Sequence, residues 1–302
     1  MERYYSLNRY LRERFGCKVY KLALSGGFTC PTRDGTLDTR GCIFCSGGSG
    51  EFAADAAEDM AQAMAQAKSV VAGKAHGAKY IAYFQSYTGT YAPVSKLREL
   101  YSAAMADPET AVLSIATRPD CLGEDVLDLL AELNAAKPVW VELGLQTIHP
   151  RTAEFIRRGY ELPVYDKAAA ALKGRGLEVV THMIIGLPGE TDEMIYETAR
   201  YIGASGADGV KFQLLHVLRG TDLAEYYARG GFEALTLDEY IELLEGCIWR
   251  IPPDMVVHRL TGDGAKRELI APLWSGDKKR VINAVNAAFQ RDNVVQGELW
   301  KK

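Results

Sequence analysis

Six apolar, strand-like runs, each ending in polar residues, restrict this chain more than any other feature it carries. They cover residues 19–24, the stretch KYIAYFQS, AVLSIATRPD, PVWVELGLQT, LEVVTHMIIGLPGE and GVKFQLLHVLRGT. Helical spacing fills the intervals: residues 55–72, with Met60, Met64, Ala67 and Val71 on one face, then 93–105, 124–134, 150–158 with 164–173, and 193–204. Strands alternating with helices at this interval indicate βα units around a parallel sheet. A doubly wound open sheet usually carries GxGxxG after its first strand, and here that position holds cysteines. The pattern therefore predicts an α/β fold, a partial (β/α)6 TIM-like barrel, with its chemistry at the carboxyl ends of the strands. Beyond it, a helix over 237–249, a short strand over 255–260 and a final helix over 278–289 predict a small α/β extension. The expected division is 1–18 as a basic N-terminal segment, 19–221 as the barrel and 222–302 as the extension closing it.

The loop after the first strand, CPTRDGTLDTRGCIFC, holds Cys30, Cys42 and Cys45, with eleven residues in the first gap and two in the second. Glycines and short polar residues let such a loop fold back and aim several sulfurs at one centre. Three thiolates with no evident fourth partner suit a four-iron cluster with one open iron. Structural zinc asks for four closed ligands, and unligated thiols are the third reading. Cys17, Cys121 and Cys247 are too scattered to suggest a second cluster.

Six cysteines in 302 residues without a secretory signal favour reduced thiols in a cytoplasm. No apolar run reaches the ~18 residues of a membrane span. A net charge of −4 gives no global attraction to nucleic acid, so any such binding must use local basic groups.

Polar residues recur where each strand ends: Gln85 and Ser86, Thr117 with Arg118 and Asp120, Glu142 with Gln146, His182, and Lys211 with Gln213 and His216. Residues 142, 144 and 146 share one strand face, with glycine leaving room between the two polar side chains. Gly186 ends an apolar strand and allows a flat ligand close to the backbone. His182 alone is as readily a core histidine, and Glu142 half of a buried ion pair. Five consecutive strands doing this at one end point to a site.

These phrases resemble the radical SAM superfamily. IATRPD, VELGLQT, MIIGLPGE and VLRGT, with Lys211, resemble the radical domain of the Elongator catalytic subunit, in the branch that also holds oxygen-independent coproporphyrinogen oxidase. The long first cysteine gap, HRLTGDG and APLW resemble the small YtqA/YhcC-like subgroup. The commonest superfamily spacing has three residues in the first gap, so the chain departs there by a loop insertion. The resemblance implies a [4Fe-4S] cluster on Cys30, Cys42 and Cys45, with S-adenosylmethionine on the fourth iron. It implies Phe44 beside the adenine, Gln85 and Ser86 at the methionine amino group, Gln146 and His182 at the ribose with Glu142 beside them, Arg158 at the methionine carboxylate and Gly186 near the adenine. Lys211 and Arg118 are the implied substrate contacts. The expected chemistry is reductive cleavage of the sulfonium to a 5′-deoxyadenosyl radical, served by a flavodoxin- or ferredoxin-type electron donor.

The subgroup resemblance further implies tRNA wobble-uridine modification, taking 5-carboxymethylaminomethyl-(2-thio)uridine toward the 5-aminomethyl form. Basic groups such as Arg157-Arg158, Lys278-Lys279-Arg280 and Lys301-Lys302 could meet phosphates, and Tyr87, Tyr91 and Trp274 could stack a splayed base. His258, Arg259 and Asp263 are further candidates for the cavity wall. A radical enzyme on a small molecule or peptide is the first alternative. A zinc-stabilised, nucleotide-binding barrel without radical chemistry is the second.

Overall fold

The computed structural model describes residues 2–47, 59–74, 77–262, 264 and 266–301. Seven parallel strands form one sheet that curls into a partial barrel, in the order β1 (Val19–Leu24), β2 (Lys79–Phe84), β3 (Thr110–Thr117), β4 (Val139–Gln146), β5 (Glu178–Ile185), β6 (Gly209–Leu214) and β8 (Val256–Arg259). A two-stranded antiparallel ribbon, β7 (Val217–Leu218) with β9 (Leu269–Ala271), stands apart.

The helices are α1 (Leu7–Phe15), α2 (Met60–Val71), α3 (Val94–Ala106), α4 (Glu124–Ala136), α5 (Pro150–Phe155), α6 (Leu162–Gly174), α7 (Asp192–Ala204), α8 (Asp222–Ala228), α9 (Leu237–Trp249) and α10 (Lys278–Arg291). Side-chain caps set several starts: Asp59 for α2, Thr191 for α7 and a capping box of Thr236 and Glu239 for α9. Residues 55–58 of the helix expected from 55 lie outside the described residues, as do Asp263 and Lys302. Among the described residues, no helix is long and apolar enough to cross a membrane.

Three expectations are corrected. The short strand near 255–260 is no cap: β8 pairs parallel with β6, Gly209 opposite Val256, and makes a seventh strand. The sixth run stops at Leu214 and resumes as β7, which leaves the sheet to pair with β9. The helix expected over 150–158 also ends early, at Phe155, because Arg157 takes a left-handed φ of 56°.

The main core lies between the sheet's outer face and the helices, where Leu113, Val141, Val179 and Val210 are fully buried. This explains the near-continuous apolar runs, since parallel strands are covered on both faces. Inside the curl, the amino end is closed by α1. Its Leu11 packs against Ile81, Val112 and Trp140, and Ser6 just before it bridges to Val257 of β8. The carboxyl end stays open.

Candidate functional site

A cavity of about 690 Å³ opens at the carboxyl ends of the strands, within the size range of small-molecule sites. Cys30, Cys42 and Cys45 line one wall; Gln85, Arg118, Glu142, Gln146, Arg158 and His182 line the rest, with Phe44 beside the cysteines. The long loop reaches this wall by doubling back. Arg33 N donates to Cys30 O at 2.8 Å, Leu37 N to Pro31 O at 2.7 Å and Gly41 N to Thr32 O at 2.8 Å. The returning end is pinned by Ile43, whose N–H donates to Ile156 O at 3.2 Å and whose carbonyl accepts from Leu223 N at 3.0 Å. Burial pushes the Cys42 thiol up to about 11, and the charge of Cys45 adds to it.

Among the described residues, no three His, Cys, Asp or Glu side chains converge closely enough to hold a single metal ion. Three thiols along one wall with no fourth donor are the set that a wider iron–sulfur cube with an open corner requires.

The opposite wall is shaped for a bound molecule. Gln146 ends β4 at a register shift and holds a left-handed φ of 70°, which a non-glycine residue adopts at a cost. Its Oε1 is buried without a hydrogen-bond partner. Two residues earlier, a Cβ on Gly144 would stand 3.0 Å from Gln146 Nε2, so a side chain there would press on the glutamine. Thr88 Oγ1 is a second buried, unpartnered group, in a residue only 1% exposed. A ligand rich in hydroxyl and amino donors fits such a wall.

Beneath the cavity lies a charged layer to which each of six strands contributes. Glu142 on β4 is fully buried and accepts from Ser114 on β3 at 2.7 Å, Lys21 on β1 at 3.4 Å, His182 Nε2 on β5 at 2.8 Å and Lys211 on β6. Lys211 also donates to Tyr83 OH on β2 at 3.1 Å, and both lysines lie over the Tyr83 ring, at 4.6 and 4.4 Å from its centre. Burial raises the pKa of Glu142, yet the cations of Lys21 and Lys211 outweigh it and hold the carboxyl well below its ordinary range. Burial drives Lys211 well below the usual lysine value against the pull of Glu142. His182 is pushed down to about 4, chiefly by burial. It is therefore neutral, with its Nε2 proton on Glu142 and Nδ1 accepting from Gln213 Nε2 at 3.2 Å.

Several expected residues sit elsewhere than the resemblance implied. Lys211 is 1% exposed and lies behind Glu142 rather than on the cavity wall. Ser86 and Gly186 are also off the wall; a Cβ on Gly186 would meet Leu235 at 2.9 Å. The Arg158 guanidinium donates to the carbonyls of Leu145, Thr147 and Tyr160, so the implied two-pronged grip on a carboxylate is not what its geometry offers. Arg118 is held by Asp120 through contacts of 2.9 and 2.7 Å. Trp274 is committed to Leu235 O and packs against Tyr240, so it is no stacking platform.

Sequence reasoning missed Tyr160, which lines the cavity beneath the Arg158 cation, 4.4 Å from its ring centre. Lys21, on the first strand, is a second residue it did not place at the site. The period-2 alternation of β1 carried that signal, since Lys21 shares the inward face with Val19.

The profile of the Radical SAM superfamily matches residues 39–202, and that of the Radical_SAM C-terminal domain matches 207–291. The uncharacterized protein YtqA of Bacillus subtilis strain 168 is 44% identical over 302 residues, 100% of this chain and 94% of YtqA. A tRNA uridine(34) acetyltransferase of Methanocaldococcus jannaschii is 34% identical over 142 residues, 46% of this chain and 26% of that protein. Among solved structures, the archaeal Methanocaldococcus infernus Elp3 with an N-terminal deletion aligns with a TM-score of 0.70 at 19% identity, over 92% of this chain and 64% of that one. This last likeness speaks for the fold.

Proposed function

Because this chain belongs to the radical SAM superfamily, in the branch it shares with the Elongator catalytic subunit and oxygen-independent coproporphyrinogen oxidase, we propose that its cavity holds a [4Fe-4S] cluster on Cys30, Cys42 and Cys45 beside S-adenosylmethionine, and acts on the wobble uridine of tRNA. One observation carries the site reading: three thiols share a single cavity with the unmet acceptor of Gln146 and the orientation-locked His182. Bound together, the family's cluster and S-adenosylmethionine supply one-electron cleavage of a sulfonium and abstraction of a hydrogen atom from substrate.

The chain's own residues orient and enclose. Gln146 Oε1 accepts from a ribose hydroxyl, and neutral His182, its Nε2 proton held by Glu142, presents its ring edge to the same sugar. Gln85 meets the methionine amino group, and Phe44 backs the adenine. Arg158 supports this wall through its carbonyl contacts. Lys211 holds Glu142, and through it His182, so it acts by positioning; Arg118 is the group we assign to substrate. Residues 19–221 provide this chemistry, while 1–18 close its amino end and 222–302 complete the barrel, β8 included. A flavodoxin- or ferredoxin-type protein supplies the electron.

The tRNA assignment draws on the name of the archaeal relative, a tRNA uridine(34) acetyltransferase, and on the cavity mouth. Tyr87 lines the cavity at 38% exposure and offers a ring face to a splayed base. The reaction proposed takes 5-carboxymethylaminomethyl-(2-thio)uridine toward the 5-aminomethyl form. Reconstituted enzyme incubated anaerobically with S-adenosylmethionine, dithionite and hypomodified tRNA should yield 5′-deoxyadenosine and a matching change in the wobble nucleoside by mass. 5′-Deoxyadenosine with unchanged nucleosides would move the substrate to a small molecule or peptide. A colourless zinc protein making none would discard the cluster.

A further inference from the structure

We infer that Arg33 is a charge-compensating residue of the cysteine loop: folded back over Cys42 and Cys45, its guanidinium sets how readily the three-thiolate centre takes up an electron. The inference rests on the iron–sulfur reading of those thiols and gives the long first gap a purpose beyond spacing.

The loop brings Arg33 there by its own geometry. The turn closed by Arg33 N on Cys30 O, at 2.8 Å, sends the side chain back across the loop, where Nη2 donates to the carbonyl of Cys45. The guanidinium lies so close over Gly41 that a Cβ at that position would be 2.7 Å from Arg33 Nε. Gly41 also has a φ of 75°, which favours glycine, and the missing side chain leaves the space the guanidinium occupies. Arg33 lines the cavity beside all three cysteines. Burial works against its positive charge, but hydrogen bonding and charge from Cys45, with further charge from Tyr87 and Cys42, hold its pKa above the ordinary arginine value.

Three neighbouring guanidiniums are already answered by carboxylates, Arg118 by Asp120 at 2.7 Å, Arg157 by Asp222 at 2.6 Å and Arg40 by Asp38 at 2.9 Å, and Arg158 spends its donors on backbone carbonyls. Among the described residues, no carboxylate stands within ion-pair range of Arg33. Its charge is thus left to act on the sulfurs. A cluster held by three thiolates gains one negative charge on reduction, and a fixed cation beside it favours the reduced form. Hydrogen bonds around the ligating residues act in the same direction.

The test compares reconstituted wild type with Arg33→Gln and Arg33→Lys, by iron content and by an anaerobic redox titration followed by electron paramagnetic resonance, without S-adenosylmethionine. Arg33→Gln is expected to load iron normally. Its reduced-to-oxidised ratio at a fixed potential should fall about tenfold, a midpoint about 59 mV more negative for one electron. Arg33→Lys should recover most of that ratio. A loaded Gln variant within threefold of wild type overturns the inference while leaving the cluster reading intact. Should the Gln variant fail to load, the Lys variant decides. Loading with a wild-type ratio supports a charge role, whereas failure to load, or a tenfold lower ratio, assigns Arg33 to loop folding instead. A wild type that gathers no cluster removes the site reading itself.

Discussion

The two ends of the barrel interior are built on opposite terms. At the Glu142 layer, one carboxylate takes contacts from Ser114, Lys21, His182 and Lys211, and Tyr83 lies between the two lysines. Below it, α1 seals the barrel; the unpartnered Trp140 Nε1 and His258 Nδ1 lie at this level, His258 beside a second cavity of about 520 Å³. A few ångströms toward the mouth, Gln146 sits in a costly backbone conformation with an unmet acceptor, Thr88 keeps an unmet hydroxyl and three thiols share a wall. Charges are answered by the chain below, whereas above, a strained backbone and two unmet polar groups share an open cavity with three thiols. Buried groups without partners cost free energy, and at the mouth the open cavity gives a ligand room to meet that cost.

The largest effects should separate the two ends by kind. Cys42→Ala is expected to abolish cluster binding and drop S-adenosylmethionine cleavage to background, with the apo-protein's urea midpoint nearly unchanged. Glu142→Ala should instead cost about 3–5 kcal/mol in urea unfolding of the apo-protein, because Lys211 is left buried, and Lys21 half-buried, without their counter-charge. The pair Glu142→Gln with Lys211→Met should cost clearly less than Glu142→Ala alone, since both charges leave together. Equal losses would mean that the layer is not a coupled unit.

A pH experiment sharpens the contrast. His182 titrates near 6.5 when unfolded and at about 4 when folded, through burial above all. Between those values the unfolded chain binds the extra proton, so stability is full above about 6.5 and declines as pH falls toward 4, by up to about 1.4 kcal/mol per pH unit. His182→Asn should flatten that slope in urea titrations at stepped pH. The smallest stability effect is expected at the mouth. Gln146→Gly relieves the left-handed strain but adds chain entropy, for a net change within about 1 kcal/mol. Binding of S-adenosylmethionine to the reconstituted variant, measured by calorimetry, should still weaken about tenfold, a loss of roughly one hydrogen bond.

Much of this was readable in the residues themselves. Period-3.6 and apolar runs disclosed the βα alternation, and the strand-end polar residues disclosed which end carries the site. What escaped had physical causes. The two residues that turn β6 into β7 carry no strong break, so the departure from the sheet was invisible until pairing with β9 defined it. The seventh strand looked like a cap because β8 is only four residues long. Lys211 read as a cavity group because period 2 tells which face a side chain takes, and nothing about its depth. Arg158 read as a ligand clamp because spacing cannot reveal that Leu145, Thr147 and Tyr160 would turn their carbonyls toward it.

The first and last described segments are clipped to one another. Gln296 accepts from Tyr5 N, 291 positions away, while its own side-chain amide grips the carbonyls of Pro252 and Met255. Arg3 reaches Gln290 and Asn293 in the same way. On a ribosome adding roughly 5–20 residues per second, the opening segment waits on the order of 15 to 60 seconds for its counterpart. Strands can pair during that wait, but the latch that anchors α1 closes only once residues 290–296 have been made.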